Sequence, residues 1–291
     1  MNKENRGGAQ VDSQTGLLAL IGDPVGHSKS PDMMNRALKS HGLPYVYLAF
    51  QVAPERLKEA VNGFRALGVK GWNVTIPHKV AIMEHLDEID ESALAIGAVN
   101  TVVCEEGKWV GYNTDGPGYL RSLKEEWDLP FSKLKAVILG AGGAARAVGY
   151  ALATAGVPEI SVANRTVEKA EALANHLASF TQTRAVSLKE GKDVIEKADL
   201  VINTTSVGMH PDRDATPVPT EWLHEGQYVS DLIYHPRETA LLKGAKQQGA
   251  KVHEGLGMLV YQAAIAFEKW TGVPAPVSLM KQVLADSLKE D

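Results

Sequence analysis

The chain has 291 residues, 44% of them hydrophobic and 22% charged, with a net charge of −5. That size and composition supply a full apolar core for one large domain or two ordinary ones, and they exclude global disorder. The mild negative balance gives no electrostatic footprint for nucleic acid or an anionic membrane, and no stretch approaches the ~18 apolar residues of a membrane span.

A single cysteine, Cys104, can form no internal disulfide, which fits a reducing cytoplasm. The leading MNKENRGGAQVDSQTG is polar and lacks the apolar core of a signal peptide, so residues 1–16 are expected to form a mobile tail. Short apolar runs then alternate with helical patterns. LLALIG (Leu17–Gly22) precedes a helical stretch from Pro31 to about Ser40, and YVYLAFQV (Tyr45–Val52) precedes another from Pro54 to Leu67. GWNVTI (Gly71–Ile76) leads into helical segments between Pro77 and Ile96. Strand followed by helix, repeated, predicts a mostly parallel sheet covered by helices.

The polar connection EEWDLPFSK (Glu125–Lys133) separates this series from a second. KAVILGAGGAARAVGYALATAG reads as a buried strand, a glycine turn and a small-residue helix. EISVANRT, a helix from Val167 to about Ala178, ADLVINTTSVGM and QYVSDLIY follow, as in a doubly wound nucleotide domain. The last segments, GMLVYQAAIAFEKW and PVSLMKQVLADSLK, have helical spacing with no strand after them.

Gly140, Ala141, Gly142, Gly143, Ala144 and Ala145 fit the pattern G-x-G-x-x-G/A between a strand and a helix. Gly140 permits the tight turn, Gly142 lets the backbone approach a pyrophosphate, and the helix N-terminus offers amides and positive dipole to the anion. The alternative is a tight strand-to-helix turn with no ligand. Some two dozen residues on, Asn164 stands where such units usually carry an acid that holds the ribose 2′-hydroxyl. A carboxylate there would repel a 2′-phosphate, whereas the Arg165 guanidinium can bind one bidentately. Asn164 and Thr166 can hydrogen-bond sugar and phosphate oxygens, and Lys169 adds a second cation. The alternative is that the two cations are ordinary solvated charges, Lys169 more readily than Arg165. With the glycine turn, the set predicts NADP(H) rather than NAD(H).

Four stretches of the first half carry polar residues that a plain connection does not need. Ser28 and Ser30 lie in GDPVGHSKSP, Asn73, Thr75 and Lys79 in NVTIPHK, Asn100 in GAVNT, and Asp115 in GYNTDGPG. Hydroxyls, an amide, a carboxylate and an ammonium beyond strand ends suit a small polyhydroxylated, anionic molecule.

Together with GAGGAARA, NRT, NTTSVGM and GLGMLVYQA, these motifs resemble the shikimate dehydrogenase family, in the family's order and from Gly22 to Ala263. The resemblance implies NADPH-dependent reduction of 3-dehydroshikimate to shikimate, on the route to aromatic amino acids. It implies an α/β fold of two domains. One is an α/β substrate domain with a mostly parallel sheet, residues 1–116 and 256–291; the other is a Rossmann-type doubly wound NADP domain, residues 117–255. Ser28 and Ser30 would then hold the substrate carboxylate. Thr75, Lys79, Asn100, Asp115 and Gln262 would line the rest of the pocket, and Lys79 and Asp115 would form the catalytic pair. Asn164, Arg165, Thr166 and Lys169 would hold the 2′-phosphate, with Thr204, Thr205 and Ser206 in the loop after a later strand. Leu232, Met209 and Gly255 would lie near the nicotinamide. Tyr234 would approach cofactor or substrate, or else be a packed aromatic at a strand end. The helices from about Leu256 would return to the first domain, and domain closure would exclude water.

Departures from the family are Met34, where a histidine is frequent, Leu232, where methionine is, and Lys169, where arginine is. Lys79 has two readings: an ammonium that polarises the carbonyl, kept charged by a carboxylate neighbour, or a base made neutral by burial. Nine histidines invite a metal search, yet none forms H-x-x-x-H or a Cys/His cluster, so no metal is expected. His27 and His78 read as loop-shaping or solvent-facing, and Cys104, in an apolar strand, as a core residue. Alternatives to the main reading are a quinate/shikimate dehydrogenase with relaxed substrate or cofactor use, and a non-catalytic relative that senses NADPH and a shikimate-like ligand. The partner expected is the small-molecule substrate, with no nucleic acid and no membrane; a homodimer is compatible with the sequence.

Overall fold

Two six-stranded sheets organise residues 11–288, the part of the chain that the computed structural model describes. The expected tail falls outside those residues up to position 10; beyond it, Asp12–Thr15 close a small turn and Gly16 already belongs to the first strand. The chain divides into two units. One runs as far as Ala93 and adds Val99–Tyr112 and everything from Ala263; the other takes Leu94–Ala98 and Asn113–Gln262. Relative to the expected boundaries, the piece Leu94–Ala98 joins the nucleotide unit, and the last crossing falls inside a helix, after Gln262.

In the first unit the order is β1 (Gly16–Gly22), α1 (Ser30–Ser40), β2 (Tyr45–Gln51), α2 (Leu57–Ala66), β3 (Gly71–Val74), β4 (Glu88–Ile89), α3 (Glu91–Ile96, crossing into the second unit), β5 (Thr101–Glu105) and β6 (Lys108–Tyr112). Its sheet runs β2-β1-β3-β5-β6-β4. β1 pairs parallel with β2 and β3, and β4 with β6, while β5 is antiparallel to both its neighbours. β1 is a continuous apolar run because both faces of a central strand are covered. On one face Trp72, fully buried, packs edge-on against Phe64 at 5.2 Å and Trp109 at 4.7 Å.

The second unit begins with α4 (Asp115–Glu126). It continues through β7 (Lys135–Leu139), α5 (Gly143–Thr154), β8 (Glu159–Asn164), α6 (Val167–Leu177), β9 (Gln182–Ser187), α7 (Lys192–Glu196), β10 (Leu200–Asn203), β11 (Tyr228–Asp231), α8 (Ala240–Gln247) and β12 (Lys251–His253). Every pairing in its sheet is parallel, in the order β12-β11-β10-β7-β8-β9. The chain steps outward from β7 to one side of the sheet and then returns to build the other, the doubly wound arrangement that places ligands beyond the strands' carboxyl ends. Ile138, Ile160, Val162, Val148 and Leu152 share its main core, each without exposed surface.

α9 (Leu256–Thr271) contributes its first turns to the second unit and the remainder to the first, and α10 (Val277–Ser287) belongs to the first. In that unit Trp270 Nε1 donates to Val102 O at 2.9 Å, its ring stands 6.1 Å from Tyr47, and α10 packs on α1.

Two expectations change here. Cys104 is exposed rather than in the core, because it lies at the end of β5 where the strand runs out towards its turn. His78 faces inward: it is 1% exposed, and its Nε2 lies 2.7 Å from Val52 O. Among the described residues no helix is long and apolar enough to cross a membrane, and no group of three or more His, Cys, Asp or Glu could hold a metal.

Candidate cofactor and substrate sites

Most of the expected nucleotide positions lie just beyond the carboxyl ends of parallel strands, while Asn164 ends β8 itself and Lys169 lies in α6. Gly140–Gly143 follow β7, Arg165 and Thr166 follow β8, Thr204–Ser206 follow β10, Leu232–Tyr234 follow β11, and Gly255 follows β12. Gly140 has φ +111, a conformation a side chain resists, and its N–H donates to Ala163 O at 2.8 Å. Gly142 caps α5 in extended conformation, and a Cβ added to it would meet nothing within 4 Å. That opening sits where the first amides of α5 have no intrahelical acceptor and the helix dipole is positive.

Beside it is a hollow of about 200 Å³, lined by Ala141, Gly142, Asn164, Arg165, Thr166 and Lys169. None of these is acidic and two are cationic. Asn164 Nδ2 donates to Thr166 O at 2.8 Å, which turns its Oδ1 away from that carbonyl and holds the corner in shape. Arg165, Thr166 and Lys169 are all exposed, so both cations face solvent. Ala144 lies in the first turn of α5, half-buried. The hollow, the open backbone and the cations fit a phosphorylated adenosine.

The loop after β10 is fixed by side chains. Thr204 donates from both N and Oγ1 to Leu139 O, at 2.9 and 2.8 Å. Asn203 Oδ1 accepts Thr205 N at 3.0 Å and Thr205 Oγ1 at 2.7 Å. Ser206 and Met209 are exposed beyond them. Gly255 is pressed against Leu232, whose carbonyl carbon and oxygen would each be 2.4 Å from a Cβ there. Tyr234 is half-buried, and burial pushes its phenol pKa up. Asn203 and Asp231, both fully buried, escape the sequence reading, although each is a polar residue closing an apolar strand, LVIN and YVSD.

In the first unit the candidate residues gather at one end of the sheet. Ser28 and Ser30 follow β1, Thr75 and Lys79 follow β3, and Asn100 precedes the antiparallel β5. Ser28 Oγ accepts Ser30 N at 3.3 Å, leaving its proton to donate elsewhere. Thr75 N donates to Ile21 O, and Lys79 O accepts Val99 N at 2.7 Å, which ties the lysine's backbone to the strand that leads into β5. Asn100 is 2% exposed and stands in a buried polar chain: Tyr47 Oη donates to Asn73 Oδ1, Asn73 Nδ2 to Thr101 Oγ1, and Thr101 Oγ1 to Asn100 Oδ1. Burial raises the Tyr47 phenol pKa, so it stays a donor at the head of that chain.

Asp115 and Gln262 belong to the second unit. Asp115 opens α4, 4% exposed, with its N–H donating to Asn113 Oδ1 at 3.1 Å. One turn on, a Cβ at Gly118 would meet the backbone N of Gln262 at 2.6 Å, so α4 and α9 touch backbone to backbone there. Lys79 lies in the first unit.

Comparison with known proteins gives this arrangement a lineage. The shikimate dehydrogenase substrate binding domain matches residues 20–102, shikimate / quinate 5-dehydrogenase matches residues 123–210, and the shikimate 5′-dehydrogenase C-terminal domain matches residues 255–285. A Methanopyrus kandleri protein named shikimate dehydrogenase (NADP(+)) is 51% identical over 284 residues, spanning 96% of this chain and 98% of the relative. The chain belongs to the shikimate dehydrogenase family. Solved shikimate dehydrogenases superpose over nearly the full length. One, in complex with NADP+, gives a TM-score of 0.89 at 48% identity, covering 97% of this chain and 98% of that one. The shikimate 5-dehydrogenase of Thermus thermophilus, in complex with NADP(H) and shikimate, gives 0.85 at 40% identity, covering 94% and 100%. The two-sheet α/β architecture is therefore the shikimate dehydrogenase fold.

Proposed function

We propose that this chain is an NADP-dependent shikimate dehydrogenase, interconverting 3-dehydroshikimate and shikimate on the route to chorismate and the aromatic amino acids. The observation that carries the cofactor choice is the acid-free hollow beside the glycine turn, with Arg165 and Lys169 on its wall. Arg165, Lys169, Asn164 and Thr166 hold the 2′-phosphate by charge-assisted hydrogen bonds, and the amides at the start of α5 hold the pyrophosphate. Thr204, Thr205, Ser206, Leu232 and Gly255 frame the nicotinamide end.

NADPH supplies the hydride that reduction of the ketone requires. Ser28 and Ser30 donate their hydroxyls to the substrate carboxylate, while Thr75, Asn100, Asp115, Tyr234 and Gln262 read its hydroxyls. Lys79, as ammonium, donates to the carbonyl oxygen, stabilises the charge that develops there and gives up its proton to the new alcohol. In the oxidative direction the same nitrogen takes that proton back. Asp115 accepts a hydrogen bond from a substrate hydroxyl and so fixes which carbon faces the hydride. All these residues come from one chain, a scheme with which a homodimer is compatible. We place the activity in the cytoplasm, where an exposed free thiol at Cys104 is at home.

The test is product identity. Purified protein given shikimate and NADP+ should form 3-dehydroshikimate, with kcat/KM at least tenfold higher for shikimate than for quinate; no product from either overturns the assignment.

A further inference from the structure

One buried carboxylate has no part in the reaction just described. Asp231 ends β11 directly opposite Asn203, which ends β10, and neither side chain reaches solvent. Asp231 Oδ1 accepts Asn203 Nδ2 at 3.0 Å and Ile233 N at 3.0 Å, and Oδ2 accepts Thr239 Oγ1 at 2.7 Å. Thr239 in turn caps α8, accepting Leu242 N at 3.3 Å.

The chemistry of that contact fixes a direction. A carboxylate can only accept, so the Asn203 amide must turn its NH2 towards Asp231 and its oxygen towards Thr205. That oxygen holds Thr205 N and Oγ1, while Asn203 Nδ2 also reaches Val207 O at 3.3 Å. The same carboxylate oxygen fixes Ile233 N, and so the peptide next to Leu232, whose carbonyl abuts Gly255. Two segments, after β10 and β11, are therefore held by one group, and Gly255, after β12, packs on the second. The burial cost is visible in its acidity: desolvation pushes the Asp231 carboxyl up to about 6, against the hydrogen bonds that favour the ionised form. An expensive buried acid at the ends of two strands is retained for what it orders.

We propose that Asp231 is a positioning residue for the nicotinamide half of the cofactor, acting through Asn203 on the Thr204–Ser206 loop and through Ile233 on the Leu232 segment. This rests on reading those loops as the nicotinamide end of an NADP site. The adenosine end, on Asn164, Arg165, Thr166 and Lys169, lies outside its reach.

Calorimetric binding of NADP+ and of 2′,5′-ADP, which lacks the nicotinamide half, separates the two ends. Asp231→Leu and Asp231→Ala should each weaken NADP+ at least tenfold and 2′,5′-ADP less than twofold. Asp231→Asn keeps an acceptor for Asn203 and Ile233 and should stay within threefold of wild type for both. Unchanged NADP+ affinity in the Leu or Ala variant, or equal losses for both ligands, overturns the proposal. Wild-type protein that binds neither ligand refutes the NADP reading instead. The ordering role is then judged in the cofactor-free protein, where Asp231→Leu should speed amide exchange at Thr205 and Ile233 together. If the Leu and Ala variants do not fold, exchange on wild type decides: NADP+ should protect 203–208 and 231–236 together, 2′,5′-ADP neither, and protection of one segment alone overturns the coupling.

Discussion

A methyl group placed on Gly140 would lie 2.6 Å from Thr204 Oγ1 and 3.0 Å from Thr205 Cγ2. The turn after β7 and the loop after β10 are thus in contact with no room for a side chain, and the backbone at Gly140 has φ +111 besides. Gly140→Ala combines strain of order 1–3 kcal/mol with displacement of Thr204 from Leu139 O. The expected result is a tenfold or greater loss of NADP+ affinity by calorimetry in a protein that remains folded. Wild-type affinity would show that the two loops yield independently.

Arg165 sets the second prediction. A guanidinium meeting a phosphate makes charge-assisted bonds of roughly 1.5–3 kcal/mol, so Arg165→Ala should weaken NADP+ about 10- to 100-fold. NAD+ has no 2′-phosphate and should lose less than threefold. Equal losses would place Arg165 elsewhere than on that phosphate.

These two positions are legible in sequence because their chemistry is local: a glycine turn between strand and helix, and an acid missing from a fixed offset. The hairpin of β5 and β6 is absent from the expected elements, although its signal is present. Glu106 and Gly107 turn with φ +50 and +82 between TVVCE and KWVGY, the two-residue turn that suits a twisted hairpin. Cys104 is expected in an apolar strand, which is β5, but GYNTDGPG reads as a loop and masks β6, and with it the hairpin. β9, QTRAVS, is hard to see because an edge strand half open to solvent lacks an apolar run. Asn203 and Asp231 are invisible for a different reason. The two lie 28 residues apart in sequence, and only parallel pairing of β10 and β11 sets them face to face.

Lys79→Ala tests the proposed proton donor. Loss of an interaction made chiefly in the transition state lowers kcat far more than it raises KM, and general acid catalysis is commonly worth about 10²–10⁴ in rate. Steady-state kinetics with shikimate and NADP+ should show that split. An unchanged kcat would remove Lys79 from the chemistry.

Acid stability should carry the mark of two buried groups with opposed signs. His253, fully buried with Ser122 Oγ 2.7 Å from Nε2 and Ser230 Oγ 2.9 Å from Nδ1, is pushed by desolvation from 6.5 down to about 4. Between those values the unfolded chain binds a proton that the folded one refuses, so stability falls as pH drops, by roughly 3 kcal/mol in all. Asp231, raised from 3.8 to about 6, does the reverse: the folded state binds the proton first, and stability is lost as pH rises through 6. The two offset each other between about pH 4 and 6. Urea unfolding at several pH values should therefore show a steeper acid loss in Asp231→Asn and a shallower one in His253→Gln. Slopes equal to wild type in both would mean that neither group titrates as its burial requires.

The central claim, an NADP-dependent dehydrogenase of shikimate, meets its most direct test in the absorbance of reduced cofactor when purified protein is mixed with shikimate and either NADP+ or NAD+. NADPH should appear rapidly, with kcat/KM for NADP+ at least about 100-fold that for NAD+, on the order of the 2–3 kcal/mol that a bound phosphate contributes. Equal rates with the two cofactors would contradict the reading of Arg165 and its neighbours, and no reduction of either would contradict the whole.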